Sequence, residues 1–229
     1  MAESSRKGPL ADRHSLLRRL IPLAFSVPLA IGLVATRPNF ARVFDRQAVD
    51  PQSAGCLTNL EQIGKAYALY ARDYDGKIPL GVDPEDRNNP AIWRNSGAYG
   101  GAFYSDATTI PYLHEVLRPY VRSPETFHCP ADVGWTQSKL PSMNGGLHDV
   151  KPSSYARFGT SYYCFTVWGF SQQTANDIPE PGETLLVFDG DLWHQNAGQS
   201  LLNGLFADGH AQKLSARQFE LYSRGPDSY

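Results

Sequence analysis

The sequence predicts an α+β protein that follows a membrane-spanning segment. An uncharged apolar run lies directly behind a basic N-terminus, and apolar residues then recur at helical spacing. The C-terminal half carries short runs rich in β-branched and aromatic residues, bounded by Gly, Asp and Pro. Helical patterns followed by strand patterns indicate the α+β class. Of the 229 residues, 41% are apolar and 19% are charged, a composition that can bury a core.

The N-terminus predicts a single-pass anchor. Residues 1–19 hold five basic and two acidic side chains, and residues 20–36 carry no charge. Seventeen helical residues span about 25 Å, the low end for crossing a bilayer. The basic flank should stay cytoplasmic, which places the bulk of the chain outside the inner membrane. We favour an uncleaved anchor, with a cleaved signal peptide and a buried core helix as the alternatives.

An amphipathic helix is predicted next. Residues 37–55 are interpreted as a connector, because prolines and a glycine interrupt helical structure there. Thr58 with Glu61 fits a capping box, and Asp75-Gly76 ends the element. The apolar stripe recurs at three- and four-residue steps and comprises Leu57, Leu60, Ile63, Tyr67, Tyr70 and Tyr74.

The rest of the chain divides into loop, helix and strands. Residues 81–108 are polar and turn-rich and predict a long surface loop, with a short helix within it as the open alternative. Residues 110–121 predict a second helix. A short helix capped by Ser215 is predicted over residues 215–222. Three runs predict strands that pair in antiparallel fashion, at residues 160–170, 183–191 and 201–214.

Four sequence blocks occur in an order that resembles a known family. They are "CLTNLEQIGKAYALYARDYDGKIP", "LRPYVRSPETFHCPAD", "IPEPGETLLVFDGD" and "LFADGHAQKL". Together they resemble prepilin-type proteins with a C-terminal H-X9-DG motif, the DUF1559 family, which is abundant in planctomycete-type bacteria. The resemblance covers about residues 56–215. It implies a pilin-like plan, in which an N-terminal membrane helix leads into a helix packed on an antiparallel sheet, and a type II secretion pseudopilin-like role.

The chain departs from that family in two places. The segment before the apolar run, "RHSLLRRLIPLAF", lacks the Gly-Phe start that a prepilin peptidase cuts, and the Glu that follows it. In addition, thirteen residues separate His194 from Asp208-Gly209, where the motif has nine. Processing as a filament subunit is therefore left open.

The cysteines indicate one disulfide if the domain is exported. With Cys56, Cys129 and Cys164, one bridge and one free thiol is the simplest arrangement. The resemblance implies that Cys56 pairs with Cys129, since two of the matching blocks contain them. Cys164 lies in an aromatic run and is interpreted as a buried small apolar residue.

The candidate metal ligands are Asp189, Asp191, His194, Asp208 and His210, which lie within twenty-two residues. Their carboxylates favour calcium and their imidazoles favour zinc, but neither an EF-hand nor an HExxH spacing is present. The favoured alternative is structural: Asp208-Gly209 forms a two-residue hairpin turn, and His194 and His210 hydrogen-bond loop backbone. We therefore expect no cofactor, with a divalent cation as the open alternative.

The function expected from these patterns is non-enzymatic. A net charge of −2 gives no basic face for nucleic acid, and the sequence contains neither a glycine-rich phosphate loop nor a Gly-x-Ser-x-Gly elbow. The leading hypothesis is a membrane-anchored, pseudopilin-like structural or assembly protein whose partners are pilin-like subunits or secretion components. One alternative is an exported glycan-binding module that uses residues 81–108 and the aromatic side chains, among them the four tryptophans. The other is a metal-dependent enzyme that uses the Asp/His cluster.

Overall fold

The structure, a computed structural model, describes residues 51–93, 106–140, 146–196 and 198–223. The predicted cytoplasmic segment 1–19, membrane helix 20–36 and most of the connector 37–55 lie outside these residues. In the described ranges, no helix has the length and apolar content that a membrane crossing requires.

The first helix, α1, spans Pro51–Asp73. It begins before the predicted start at Cys56, so residues 51–55, which were predicted as connector, are helical. Proline suits a first turn, where its missing N–H costs nothing. The predicted capping box is wrong, because the Thr58 hydroxyl lies inside the helix and donates to the Ala54 carbonyl at 3.0 Å. The helix ends before Asp75 (φ 54°) and Gly76 (φ 81°), whose left-handed backbone turns the chain away.

The buried face of α1 differs from the predicted stripe. Leu60 and Ile63 are buried as expected, but Tyr74 is 51% exposed and Leu57 is half-buried. Smaller side chains take the remaining contact positions. The buried residues of this helix are Ser53, Cys56, Leu60, Ile63 and Ala66.

The segment after α1 is more buried than predicted. The surface-loop prediction for residues 81–108 is wrong for residues 81–86, all of which are buried. Asp83 caps a short helix by accepting from the Asp86 N–H at 2.8 Å. The short elements here are α2 (Pro84–Asn88), a 3-10 turn (Pro90–Trp93), α3 (Leu113–Leu117), and 3-10 turns at Arg118–Tyr120 and Pro124–Phe127.

An antiparallel sheet forms the centre of the domain, and the α+β prediction is confirmed. Its longest strand, β6, pairs with β4 and β5 along one edge and with β7 along the other, and β3 flanks β4. A separate two-stranded ribbon joins β1 to β2. The strands are β1 (Trp135–Gln137), β2 (His148–Val150), β3 (Tyr162–Cys164), β4 (Leu185–Asp189), β5 (His194–Asn196), β6 (Gln199–Phe206) and β7 (Ala211–Ser215).

Helices cover both faces of this sheet. The α1 side chains pack with Val187 and Leu205, whereas Phe219 of the last helix packs with Phe188 and Leu202 on the opposite face. The strand predicted over residues 160–170 stops at Cys164, and its end is helical. The remaining elements are α4 (Ser154–Phe158), α5 (Val167–Phe170), a 3-10 turn (Ala175–Asp177) and α6 (Ala216–Ser223).

Candidate functional site

The candidate site forms where one edge of the sheet is interrupted. Strands β4 and β5 follow the same edge of β6, and residues 190–193 loop out between them. This loop brings Asp189, the last residue of β4, next to His194, the first residue of β5. Asp189 Oδ2 lies 3.1 Å from His194 Nε2, and neither side chain is exposed to solvent.

Two further polar residues connect this pair to α1. The Asn203 N–H of β6 donates to Asp189 Oδ2 at 2.6 Å, so the carboxylate replaces the strand that is missing at this point. The Ser53 hydroxyl of α1 donates to Asn203 Oδ1 at 3.2 Å. Both Ser53 and Asn203 are fully buried. The sequence prediction missed both residues, because it placed Ser53 in the connector and gave Asn203 no role.

A disulfide closes the cluster from above. Cys56 of α1 joins Cys129, which is 73 residues later, with an S–S distance of 2.08 Å and a Cα–Cα distance of 4.9 Å. Cys129 Sγ lies 3.5 Å from His194 Nε2. The two sulfurs, an Asp189 oxygen and a His194 ring nitrogen all lie within 4.8 Å of one another. Cys164 is a free, buried thiol, as expected.

Burial dominates the electrostatics of Asp189. Desolvation raises the pKa of its carboxyl, and the neighbouring His194 side chain and Asn203 N–H partly oppose that rise. The oxygen Oδ1 is buried without a hydrogen bond of standard geometry. The other oxygen, Oδ2, carries the hydrogen bonds that join this carboxylate to His194 and to the Asn203 N–H.

The five predicted metal ligands do not come together. Asp191 lies in the loop between β4 and β5, where Oδ1 accepts from the Lys139 N–H at 2.9 Å and burial raises its pKa. Asp208 and His210 form a separate pair, with Asp208 Oδ1 2.6 Å from His210 Nδ1 and side chains 43% and 40% exposed. Burial tends to raise the pKa of Asp208, but hydrogen bonds from His210 bring it below its ordinary value. Among the described residues, only Asp189 and His194 of the five belong to the group whose ligand atoms lie within 4.8 Å of one another.

The β6–β7 hairpin has a loop of three residues, Ala207, Asp208 and Gly209, where a two-residue turn was predicted. Gly209 N–H donates to the Phe206 carbonyl at 2.9 Å, and Phe206 N–H donates to the His210 carbonyl at 2.9 Å. Gly209 has φ 90°, as the third loop residue of such a turn requires. The His210 ring stacks on Phe206 with centroids 4.5 Å apart. This stretch is therefore a bend held by an Asp–His pair.

Asp132 is a buried anchor that the sequence prediction missed. Its Oδ1 accepts from the N–H groups of Gly134 and Ser154, at 2.9 and 3.0 Å. Its Oδ2 accepts from the Tyr155 N–H and the Ser161 hydroxyl, both at 2.8 Å. The signal was present in the "HCPAD" block, but a single Asp after a proline does not distinguish an anchor from a surface turn.

A group of buried carboxylates lies in the polar run that predicts a surface loop. Glu85 Oε2 accepts from the Leu147 N–H at 2.8 Å, and Asp86 accepts from the Thr166 hydroxyl. Burial, followed by the nearby Asp86 charge, raises the pKa of Asp83 well above its ordinary value. These contacts join α2 to the strands and loops around it.

The described residues form a small groove, and Trp135, Trp168 and Trp193 pack with the cores. The groove lies between α1 and the β6–β7 hairpin and has a volume of about 150 Å³, below the roughly 300–1,000 Å³ usual for ligand pockets. Trp135 is 4% exposed, and Trp168 and Trp193 pack against the cores. The groove is lined by residues that include Gly64, Tyr67, Ile78, Leu186, Asp208 and Gly209.

Comparison of the chain with protein families, with curated proteins and with solved structures finds no match.

Proposed function

We propose that the chain is a non-enzymatic, membrane-anchored structural or assembly protein of the pseudopilin-like type. The resemblance to the DUF1559 family motivates this proposal. The observation that carries it is the enclosed polar cluster of Ser53, Asn203, Asp189 and His194, which links α1 to the sheet beside the Cys56–Cys129 disulfide. In the part of the chain that the structure describes, this buried carboxylate and imidazole belong to the contacts between α1 and the sheet.

The outward face of α1 is the surface we assign to assembly. In sequence, the helix follows the apolar N-terminal run after the connector, and one side of it packs on the sheet. The other side is exposed and carries Glu61 and Lys65 at i, i+4 spacing. Leu69 is 37% exposed on the same helix. A helix that is tied to its own domain on one side and open on the other can pack against a neighbouring subunit without unfolding.

In-cell photo-cross-linking of the full chain tests this proposal. A photoreactive residue replaces Glu61 on the outward face of α1, and a matched variant carries it at Arg217, an exposed position of α6 on the other face of the sheet. We expect the Glu61 probe to capture another copy or a second membrane-anchored pilin-like subunit, and the Arg217 probe to capture neither. Equal yields from the two positions, or no cross-linked product from Glu61, would contradict the assembly role.

A further inference from the structure

We propose that reduction of the Cys56–Cys129 bridge converts the enclosed cluster into a zinc site with two thiolate, one imidazole and one carboxylate ligand. Cys56 and Cys129 would provide the sulfurs, His194 Nε2 the nitrogen and Asp189 the oxygen. These are the four residues of the buried group whose ligand atoms lie within 4.8 Å of one another. The inference goes beyond the proposed assembly role and does not depend on it.

Two edges of the required tetrahedron are already close to the right length. Zn–S distances of about 2.3 Å and Zn–N or Zn–O distances of about 2.1 Å give tetrahedral S–N and N–O edges of about 3.6 and 3.4 Å. Cys129 Sγ lies 3.5 Å from His194 Nε2, and His194 Nε2 lies 3.1 Å from Asp189 Oδ2. The imidazole is therefore spaced correctly from one sulfur and from the carboxylate.

Zinc binding also requires the two sulfurs to separate. A tetrahedral zinc site places its thiolates about 3.8 Å apart, farther than any two sulfurs joined by a covalent bond. Cleavage of the bond itself drives them toward non-bonded contact, in the direction that the metal requires. The other ligands stay in place because strand pairing holds β4 and β5 along β6.

The ligand set selects the metal and the type of site. Two thiolates and an imidazole favour zinc over magnesium or calcium, which prefer oxygen ligands. Four protein ligands with no solvent-exposed position are typical of a structural site and leave no place for a substrate. The Asn203 N–H, which donates to Asp189 Oδ2, would fix the orientation of the carboxylate ligand.

The chemistry balances with a dithiol as the reductant. The dithiol gives two electrons and two protons to the bridge and becomes a disulfide itself, and Cys56 and Cys129 become thiols. When Zn²⁺ binds, each of the two thiols releases its proton to solvent. An oxidant that re-forms the S–S bond removes both thiolate ligands and releases the metal, so the bridge and the zinc site exclude each other.

Metal titration of the full chain tests the proposal. The chain is reduced with a dithiol, and the reductant is removed under anaerobic conditions. The reduced chain is then titrated with Zn²⁺, and elemental analysis gives the zinc content of the protein. Cobalt replaces zinc in a parallel sample, because thiolate-to-cobalt charge-transfer absorption reports sulfur ligation. We expect about one zinc per reduced chain, no stoichiometric zinc in the oxidised chain, and loss of uptake in the C56S/C129S variant.

A matched pair of histidine variants separates this site from adventitious binding. H194Q should lose tight zinc uptake, whereas H210Q, which alters the exposed pair at the hairpin, should bind like the unmodified chain. Thermal unfolding followed by circular dichroism controls for folding, and zinc should raise the unfolding temperature of the reduced chain. The proposal fails if the reduced chain binds no zinc, if the oxidised chain or C56S/C129S binds it equally well, or if bound cobalt lacks the thiolate absorption.

Discussion

Removal of the Cys56–Cys129 cross-link should destabilise the domain by about 4 kcal/mol. The bridge joins positions 73 residues apart. In the chain-entropy treatment, a loop of that length loses about 15 cal/mol/K in the unfolded state, or about 4.4 kcal/mol at 25 °C. Natural domains are stable by only about 5–15 kcal/mol, so this single bond accounts for a large share of the total.

Urea unfolding of the full chain in mild detergent measures this contribution. The C56A/C129A variant is compared with the oxidised chain, using tryptophan fluorescence and circular dichroism as two probes. With an m-value of about 2 kcal/mol/M, the unfolding midpoint should fall by about 2 M. Alanine is preferred to serine because it leaves no unpaired hydroxyl in a buried position.

C164A is the matched control, since it removes a buried sulfur that is part of no bridge. Its loss of stability estimates the packing cost of one sulfur, and twice that value is subtracted from the loss in the double variant. The remainder should be about 4 kcal/mol. A remainder below about 1 kcal/mol would refute the reasoning, because it would mean that the two sulfurs are not joined in the folded protein.

Three further predictions concern other parts of the domain. Gly134→Ala should lower the free energy of unfolding in urea by more than about 3 kcal/mol, because a Cβ at φ 62° would lie 1.9 Å from the Val150 carbonyl oxygen. Gly198→Ala is the control: its φ is 82°, but nothing lies within 4 Å of the added Cβ, so it should cost only about 1–2 kcal/mol. Equal losses in the two variants would contradict the steric explanation. Asp189→Ala should lower the free energy of unfolding by about 3–5 kcal/mol because it breaks a buried pair. Asp208→Ala breaks an exposed pair and should lower it by at most about 1 kcal/mol. The reverse order of unfolding midpoints would refute the distinction. Because the pKa of Asp83 is raised in the folded protein, its carboxyl ionises first in the unfolded chain as pH rises above about 4. The free energy of unfolding therefore falls with rising pH until the carboxyl ionises in the folded protein too. Asp83→Asn should reduce that fall when midpoints are measured between about pH 4 and 7, and an unchanged pH slope would count against a buried carboxyl here.

The sequence was informative where a residue pattern maps directly onto local geometry. Apolar spacing located α1, because burial on one face imposes the helical period. Short apolar and aromatic runs bounded by Gly, Asp and Pro located β4 and the β6–β7 hairpin, because β4 and most of β6 are buried on both faces. Asp208-Gly209 located the hairpin, since Gly209 takes the positive φ that the turn needs. The number of loop residues was wrong because the ladder pairing of Phe206 with His210, which sets it, depends on strand register.

The candidate site depended on contacts that no local pattern carries. Asp189 and His194 meet because both strands follow β6, and the loop between them is set by that pairing. Asp208 and His210 resemble Asp189 and His194 in residue type, but they lie at the far end of the hairpin, away from that pair. The buried acidic segment at residues 81–86 was taken for surface because its hydrogen-bond partners, such as Cys164 and Thr166, lie about 80 residues away.

The membrane-fraction protein gives the most direct test of an anchored assembly domain stapled by one disulfide. Isolated membranes are washed at alkaline pH to remove peripheral proteins. The intact mass of the retained chain is then measured before and after reduction. We expect the full sequence in the membrane fraction, two hydrogens lighter before reduction than after it. A chain released by the wash, a mass that corresponds to loss of the N-terminal segment, or a mass unchanged by reduction would contradict the account.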